Sequence, residues 1–252
     1  ARYPVTQAQY QSFRAHPDFE AKRFWVAGGS GKMHQAEGGL ESNPVVNVSW
    51  YEAVAYAAWT GEQLRSAGRL PQGWRITLPS EAEWEKAARG GIQVPPVGER
   101  VRLLSVGGMA LGSLEDVGVE DQPAGLDKKR YPWGEEPDPD RANYDETKVG
   151  STSAVGCFPG GASVYGCLDM SGNVWEWTRS AWVSYPYPPP GRSRDKREDF
   201  TGSDDRRRVV RGGVFSNYRW YARCSSRLGP SPYSRGGGGG FRLAASPFHS
   251  DP

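Results

Sequence analysis

From Tyr131 onward, Pro, Gly, Trp or Asn punctuates the chain every few residues. That spacing leaves room only for short strands between long irregular loops. Such loops need something large and rigid to hold them. The chain supplies it with 10 Trp alongside its 33 Gly and 20 Pro. Tryptophan offers bulk with few rotors, so it can wedge loops that lack regular hydrogen-bond ladders. A chain this aromatic and this patterned is folded rather than disordered.

Two helices are legible from their caps. Ser49-Trp-Tyr-Glu52 and Ser80-Glu-Ala-Glu83 are both capping boxes, and Pro79 blocks backward extension of the second. That helix ends at Arg89, before Gly90-Gly91. Each helix carries an aromatic, Trp59 or Trp84, on a face of small residues, which is a packing signature. Short strands are expected at Val174–Thr178 and Arg208–Arg211. Residues 92–130 read as an insertion with little more than a short hairpin, and Ser184–Ser203 as an exposed excursion. No repeat or linker divides the chain, so one domain over 1–252 is expected.

Charge is nearly balanced, with 31 Lys+Arg against 29 Asp+Glu, so bulk attraction to nucleic acid or to an anionic membrane is not indicated. No run approaches the apolar length of a membrane span, so no membrane insertion is expected. The N-terminus shows no apolar signal core, which leans towards the cytoplasm. Its abrupt start, Ala-Arg-Tyr-Pro, is consistent with residues upstream. The three cysteines, Cys157, Cys167 and Cys224, form no zinc pattern. Cys157 and Cys167 either pair across neighbouring segments or stay free. The three histidines, His16, His34 and His249, are scattered and read as solvated surface groups.

Several segments together resemble one family. They are Pro4–Tyr10, Asn43–Trp50, Leu78-Pro-Ser-Glu-Ala-Glu-Trp-Glu-Lys-Ala-Ala-Arg-Gly-Gly91, Tyr131-Pro-Trp-Gly134, Leu168-Asp-Met-Ser-Gly-Asn-Val-Trp-Glu-Trp177, and Arg211-Gly-Gly213 with Gly240-Phe-Arg242. In order and over nearly the whole chain, they resemble the formylglycine-generating-enzyme (sulfatase-modifying factor) family. The resemblance implies an α+β, C-type-lectin-like fold with little regular secondary structure and two main helices. It also implies a ligand surface built from the C-terminal segment.

The family's oxidases use copper and two cysteines shortly after Arg-Gly-Gly. Thiolates suit that role because soft ligands select Cu(I). The matching places fall near Asn217 and Ala222 here, and Cys224 offers one thiol only. A related iron-dependent branch needs a histidine triad, which three scattered histidines do not provide. The expectation is therefore a chain without catalytic residues, not an enzyme, and without copper. The resemblance also implies a structural Ca²⁺ held by Asp169 and Glu176 carboxylates with the Gly172 and Val174 carbonyls. The alternative is that Asp169 and Glu176 pair with arginines of the frame.

Between fixed posts (Arg211, Gly212, Gly213, Arg223, Arg227, Pro232, Arg235, Gly240, Phe241 and Arg242), the usual Asn-rich positions of non-enzymatic relatives hold a mixture. The candidate ligand-binding positions are Val214, Ser216, Asn217, Tyr218, Trp220, Tyr221, Cys224, Ser226, Leu228, Gly229, Ser231, Tyr233, Ser234, Gly236, Gly237 and Gly238. Changing the first two bases of an Asn codon reaches nearly all of these residues but never Lys, Glu, Gln or Met. None of those four occurs from Val214 to Gly239; Trp220 is the exception to the rule. The four glycines 236–239 read as products of such change, since glycine costs backbone entropy. The pattern resembles the variable proteins of diversity-generating retroelements, and Tyr, Ser, Gly and Trp are what a paratope uses. Phe215 is expected to be buried. The arginine posts are expected to donate to loop carbonyls. Asp195, Asp199, Asp204 and Asp205 beside them argue against nucleic acid. The expected partner is a protein, bound by a monomer. The alternatives are a copper-dependent formylglycine-generating oxidase and a fixed-partner domain of a signalling protein.

Overall fold

The computed structural model describes residues 1–25, 40–91, 129–185, 197–198 and 206–247, and between 92 and 128 the backbone of four short strands. Among the described residues there are three α-helices: α1 (Gln7–Arg14), α2 (Trp50–Ser66) and α3 (Glu81–Arg89). All three open with a reciprocal capping box, at Thr6/Gln9, Ser49/Glu52 and Ser80/Glu83. Each box satisfies two backbone donors that a helix start otherwise leaves orphaned. The sequence reading named two helices. The third follows the same rule, at Thr6-Gln-Ala-Gln9, but its eight residues are too few to show a helical period.

The strands are β1 (Trp74–Thr77), β2 (Gln93–Val94), β3 (Arg102–Val106), β4 (Met109–Ser113), β5 (Glu120–Asp121), β6 (Trp175–Ala181), β7 (Arg208–Arg211), β8 (Arg227–Leu228), β9 (Gly239–Phe241) and β10 (Ala244–Pro247). A four-stranded sheet runs in the order β8-β7-β6-β9. β6 is antiparallel to β7 and parallel to β9, with Trp175 opposite Gly239. β1 pairs with β10 in a separate ribbon. In the expected insertion, β3 and β4 form the anticipated hairpin and β2 pairs with β5. β6 runs on to Ala181, three residues beyond its expected end. Of the expected excursion at 184–203, all but residues 184–185 and 197–198 lies outside the described residues.

All seven residues of β6 are buried although it reads Trp-Glu-Trp-Thr-Arg-Ser-Ala. The tryptophans resolve that conflict. Trp175 and Trp177 join the main apolar cluster with Trp50, Tyr56, Val45 and Phe241. The indole N–H groups of Trp177 and of Trp50 and Trp84 on the helices cross between elements. Trp177 donates to the Val48 carbonyl at 2.8 Å, Trp50 to the Thr178 carbonyl at 2.9 Å, and Trp84 to the Glu176 carboxylate at 2.7 Å. Each contact contributes apolar burial and a satisfied polar group at once.

Close backbone approach fixes Gly172. It has φ +75°, and a Cβ there would run into the Asn143 carbonyl, which accepts the Asn173 amide at 2.7 Å. Gly237 has a similar φ of +68° but open space around it. Gly172→Ala is expected to lose more than about 3 kcal/mol, because backbone must move as well as strain, whereas Gly237→Ala loses about 1 kcal/mol of αL strain only. Thermal melts of the two variants check this, and equal losses would contradict it.

Candidate ligand-binding surface

The C-terminal segment hangs from four buried or half-buried arginines, Arg211, Arg227, Arg235 and Arg242, each paired with a carboxylate. Arg211, on β7 and fully buried, donates to Glu81 Oε1 at 2.9 Å and Glu85 Oε2 at 2.7 Å. It also donates to the Cys224 carbonyl at 2.5 Å. Arg227, on β8, reaches the same Glu81 at 2.7 and 2.9 Å and the Val183 carbonyl at 3.0 Å. Its guanidinium lies 4.1 Å from the centre of the Trp182 ring. Arg235 pairs with Glu52 at 2.9 Å. Arg242 brackets Glu176 at 2.5 and 2.6 Å and donates to the Leu168 and Asp169 carbonyls. The expected donation from the posts to loop carbonyls is present for Arg211, Arg227 and Arg242. The carboxylates beneath them, Glu81 and Glu85, escaped the sequence reading. The signal for Glu81 was its place in the first turn of α3, where Glu83 and not Glu81 supplies the capping carboxylate.

On this frame the segment exposes a set of large side chains. Tyr218 is 53 % exposed, Trp220 49 %, Tyr233 45 %, Leu228 42 % and Tyr221 40 %. The Tyr218 and Trp220 rings lie 5.0 Å apart, tilted by 32°. Ser216, Ser231, Gly236 and Gly237 are exposed, and Asn217, Ser226, Ser234 and Gly238 are half-buried. Phe215 is only half-buried, packed on the edge of the main cluster.

Three candidate positions are corrected. Val214 is buried in the main cluster. Cys224 is fully buried against Trp84, Ala88 and Met170. Gly229 is buried beneath Trp182, which a Cβ would strike. None of the three faces solvent. The glycine run also has a structural reason. Gly237 and Gly238 turn the chain with φ of +68° and +71°, and Gly239 lies in β9 opposite Trp175. The Cys157–Cys167 pairing is absent: Cys157 is exposed while Cys167 packs against the Trp84 cluster, and all three cysteines are free.

Comparison with known proteins fits this architecture. A sulfatase-modifying factor enzyme 1-like domain matches residues 1–247. The chain belongs to that family. Hercynine oxygenase of Mycobacterium tuberculosis is 30% identical, over 96% of this chain and 51% of its own length. Formylglycine-generating enzyme of Thermomonospora curvata is 31% identical, over 82% of this chain and 57% of its own. The chain thus spans about half the length of these curated relatives. Treponema denticola variable protein 1 superposes with a TM-score of 0.55 at 22% identity, over 96% of this chain and 81% of that one. The mixed α/β, C-type-lectin-like fold expected from the sequence is therefore present.

One expectation is overturned. The sequence reading held that the chain is not an enzyme, but relatives at 30 and 31% identity are named as enzymes. Missing cysteines at two counted places bear on one chemistry of the family, not on catalysis at large. The copper chemistry itself does not fit the residues in place. Asn217 turns its side-chain oxygen to the Val214 amide at 3.3 Å, and Ala222 is buried. Burial pushes the Cys224 thiol up to about 12, so it is protonated at neutral pH.

The calcium set of Asp169, Gly172, Val174 and Glu176 does not fit a cation as arranged. Arg242 engages both oxygens of Glu176, and Trp84 donates to one of them. The Gly172 carbonyl accepts the Val174 amide at 2.9 Å. Asp169 accepts the Gly156 amide at 2.7 Å, and burial drives its carboxyl above the usual range. The alternative of an arginine partner describes Glu176.

Frame and surface respond differently to change. Glu81→Gln strands Arg211 and Arg227 next to a neutral group and is expected to cost about 3–5 kcal/mol, the usual loss for breaking a buried pair. Tyr218→Ala, which leaves the frame intact, is expected to stay within about 0.5 kcal/mol of the parent. Denaturant unfolding of both variants decides the matter. A large loss in Tyr218→Ala would make that ring part of the fold.

Proposed function

We propose that this domain binds a protein ligand through the 211–242 surface, and that the surface is diversified by a retroelement acting on Asn codons. The carrying observation is the group of five large apolar side chains exposed by 40–53 % on a frame of buried ion pairs. Exposed aromatics on a rigid support make binding hot spots at low entropic cost. The codon pattern supports the origin of the mixture, and the frame supports its tolerance. Trp220 remains outside the codon rule and is read as a constant anchor beside Tyr218.

The corrected exposure makes this reading sharp. In sister strains the locus is expected to differ at Ser216, Tyr218, Tyr221, Ser231 and Tyr233, and to stay constant at Val214, Cys224 and Gly229. A reverse transcriptase and a near-copy of the 211–242 coding sequence, with adenines at the altered codons, are expected alongside. Sequencing the locus and its neighbourhood is the check; invariance across strains would sink the reading.

The names of the relatives favour a second reading, in which the bound ligand is a substrate of an oxidation. Because Cys224 is a buried, protonated thiol, the copper-loaded protein is expected to leave a Cys-containing sulfatase peptide unchanged by mass spectrometry. Formylglycine in that peptide would establish the second reading over the first.

A further inference from the structure

The segment from Arg211 to Arg242 contains six arginines and no Asp or Glu. Every carboxylate that answers those arginines therefore comes from elsewhere in the chain. Arg211 and Arg227 share Glu81, Arg235 takes Glu52, Arg242 takes Glu176, and the exposed Arg219 takes Glu146 at 2.8 Å. Arg223 is the sixth. It is exposed, and its guanidinium has no carboxylate, carbonyl or ring partner among the described residues. Expected as a post of the frame, its side chain holds nothing there. The backbone ties it to the exposed aromatics. Ser226 donates its amide to the Arg223 carbonyl at 3.0 Å and its hydroxyl to the Trp220 carbonyl at 2.7 Å. The Tyr221 amide closes onto the Tyr218 carbonyl at 2.9 Å. Tyr218, Trp220 and Arg223 thus stand on one compact run of turns, with the Tyr218 and Trp220 rings 5.0 Å apart.

The charges bonded into this face leave Arg223 over. The neighbouring turn, whose Asp145 amide donates to the Asn217 carbonyl at 2.9 Å, brings Asp145 and Glu146. Asp145 is taken by Lys148 and Glu146 by Arg219. In both pairs the cation is the more exposed partner, at 73 against 36 % and 51 against 24 %. On the other side the Cys224 amide binds the Arg130 carbonyl at 2.7 Å, and Arg130 pairs with Glu135 at 3.4 Å. Three pairs cancel, and one guanidinium remains beside the aromatic rings. Arginine, tyrosine and tryptophan are the residue types that dominate binding hot spots. A guanidinium meets a carboxylate through two parallel N–H donors, so the contact orients a ligand as well as holding it. We infer that Arg223 is a specificity-determining residue of the 211–242 surface, one that receives an Asp or Glu side chain of the protein ligand, and the inference rests on the protein-binding reading. An apolar side chain next to that carboxylate lies on Tyr218 and Trp220.

The test uses ¹⁵N-labelled whole protein at constant ionic strength, titrated with acetyl-Phe-Glu-amide and its neutral counterpart acetyl-Phe-Gln-amide. Both probes are expected to shift the amides of residues 218–226 saturably, the acidic one binding about threefold tighter, as an exposed ion pair allows. Arg223→Gln is expected to bind the two probes equally, with an unchanged melting temperature because the side chain holds nothing in the frame. Equal binding of both probes by the parent, a preference for the acidic probe that survives in Arg223→Gln, or no saturable shift in residues 218–226 would each overturn the assignment. So would a lowered melting temperature in Arg223→Gln, which would make the residue part of the frame. Such a failure is separable from failure of the protein-binding reading, which is decided by variation at Tyr218, Tyr221 and Tyr233 across strains.

Discussion

Glu81 is the residue on which the C-terminal half depends. It is almost wholly buried, and two arginines from different strands converge on it. Burying one carboxylate alone costs several kcal/mol, and so does burying a guanidinium. Together, with the carbonyls of Cys224 and Val183 taking further N–H groups, the charges are paired and only the Nε groups of the two arginines lack a hydrogen-bond partner among the described residues. The geometry, not only the charge, does this. A guanidinium presents five donors in a fixed plane, so one side chain can bind a helix carboxylate and a loop carbonyl at once. α3, β7 and β8 are thereby joined without a continuous ladder. Arg242 repeats the device at Glu176, and its remaining donors take carbonyls at Ala1, Arg2, Leu168 and Asp169. Chain rich in glycine and proline is held by side chains acting where backbone pairing cannot.

What the sequence disclosed follows from the range of each interaction. Capping boxes are local chemistry, so the starts of α2 and α3 were legible at Ser49 and Ser80. α1 uses the same box, but its short length hid it. The arginine posts were recognisable as posts, yet their partners were not. Glu81 lies 130 residues from Arg211 in the chain, and the local capping pattern explains its neighbour Glu83 but says nothing of Glu81. The candidate surface was overdrawn for the same reason. Cys224 sits between the exposed Arg223 and Ser225, and Gly229 follows the exposed Leu228, so their neighbours do not mark them as buried, whereas Val214 continues the buried run that begins at Arg208. Only the tertiary contact with Trp182 shows why Gly229 must lack a side chain. The turn at Gly237–Gly238 was misjudged likewise, because a positive φ is a property of the fold and not of the codon.

The exposed positions share a further property that bears on function. Their main chains are tied down while their side chains are spare. The Asn217 carbonyl accepts the Asp145 amide, the Arg219 carbonyl accepts the Tyr131 hydroxyl, and the Trp220 carbonyl accepts Ser226 Oγ. Those bonds persist whatever side chain the residue carries. Between residues 216 and 222 the Glu146–Arg219 pair, at 2.8 Å, is the one ion pair among the described residues, and it lies on the exposed side. Identity at Tyr218 or Trp220 is thus uncoupled from stability, which surface substitutions of this kind rarely disturb, whereas the Tyr221 ring lies edge-on to the buried Trp175 at 6.4 Å.

That uncoupling explains how one frame can serve unlike chemistries. An enzyme of this family and a binding protein of this fold both need a surface whose residues change freely while the backbone stays fixed, since function resides in sites set upon folds. Here the fixed part is bought with buried arginine–glutamate pairs rather than with secondary structure. On the proposed function, the positions that set the ligand are those with exposed side chains and bonded carbonyls. Cys224, whose thiol is buried and whose carbonyl is gripped by Arg211, belongs instead to the frame.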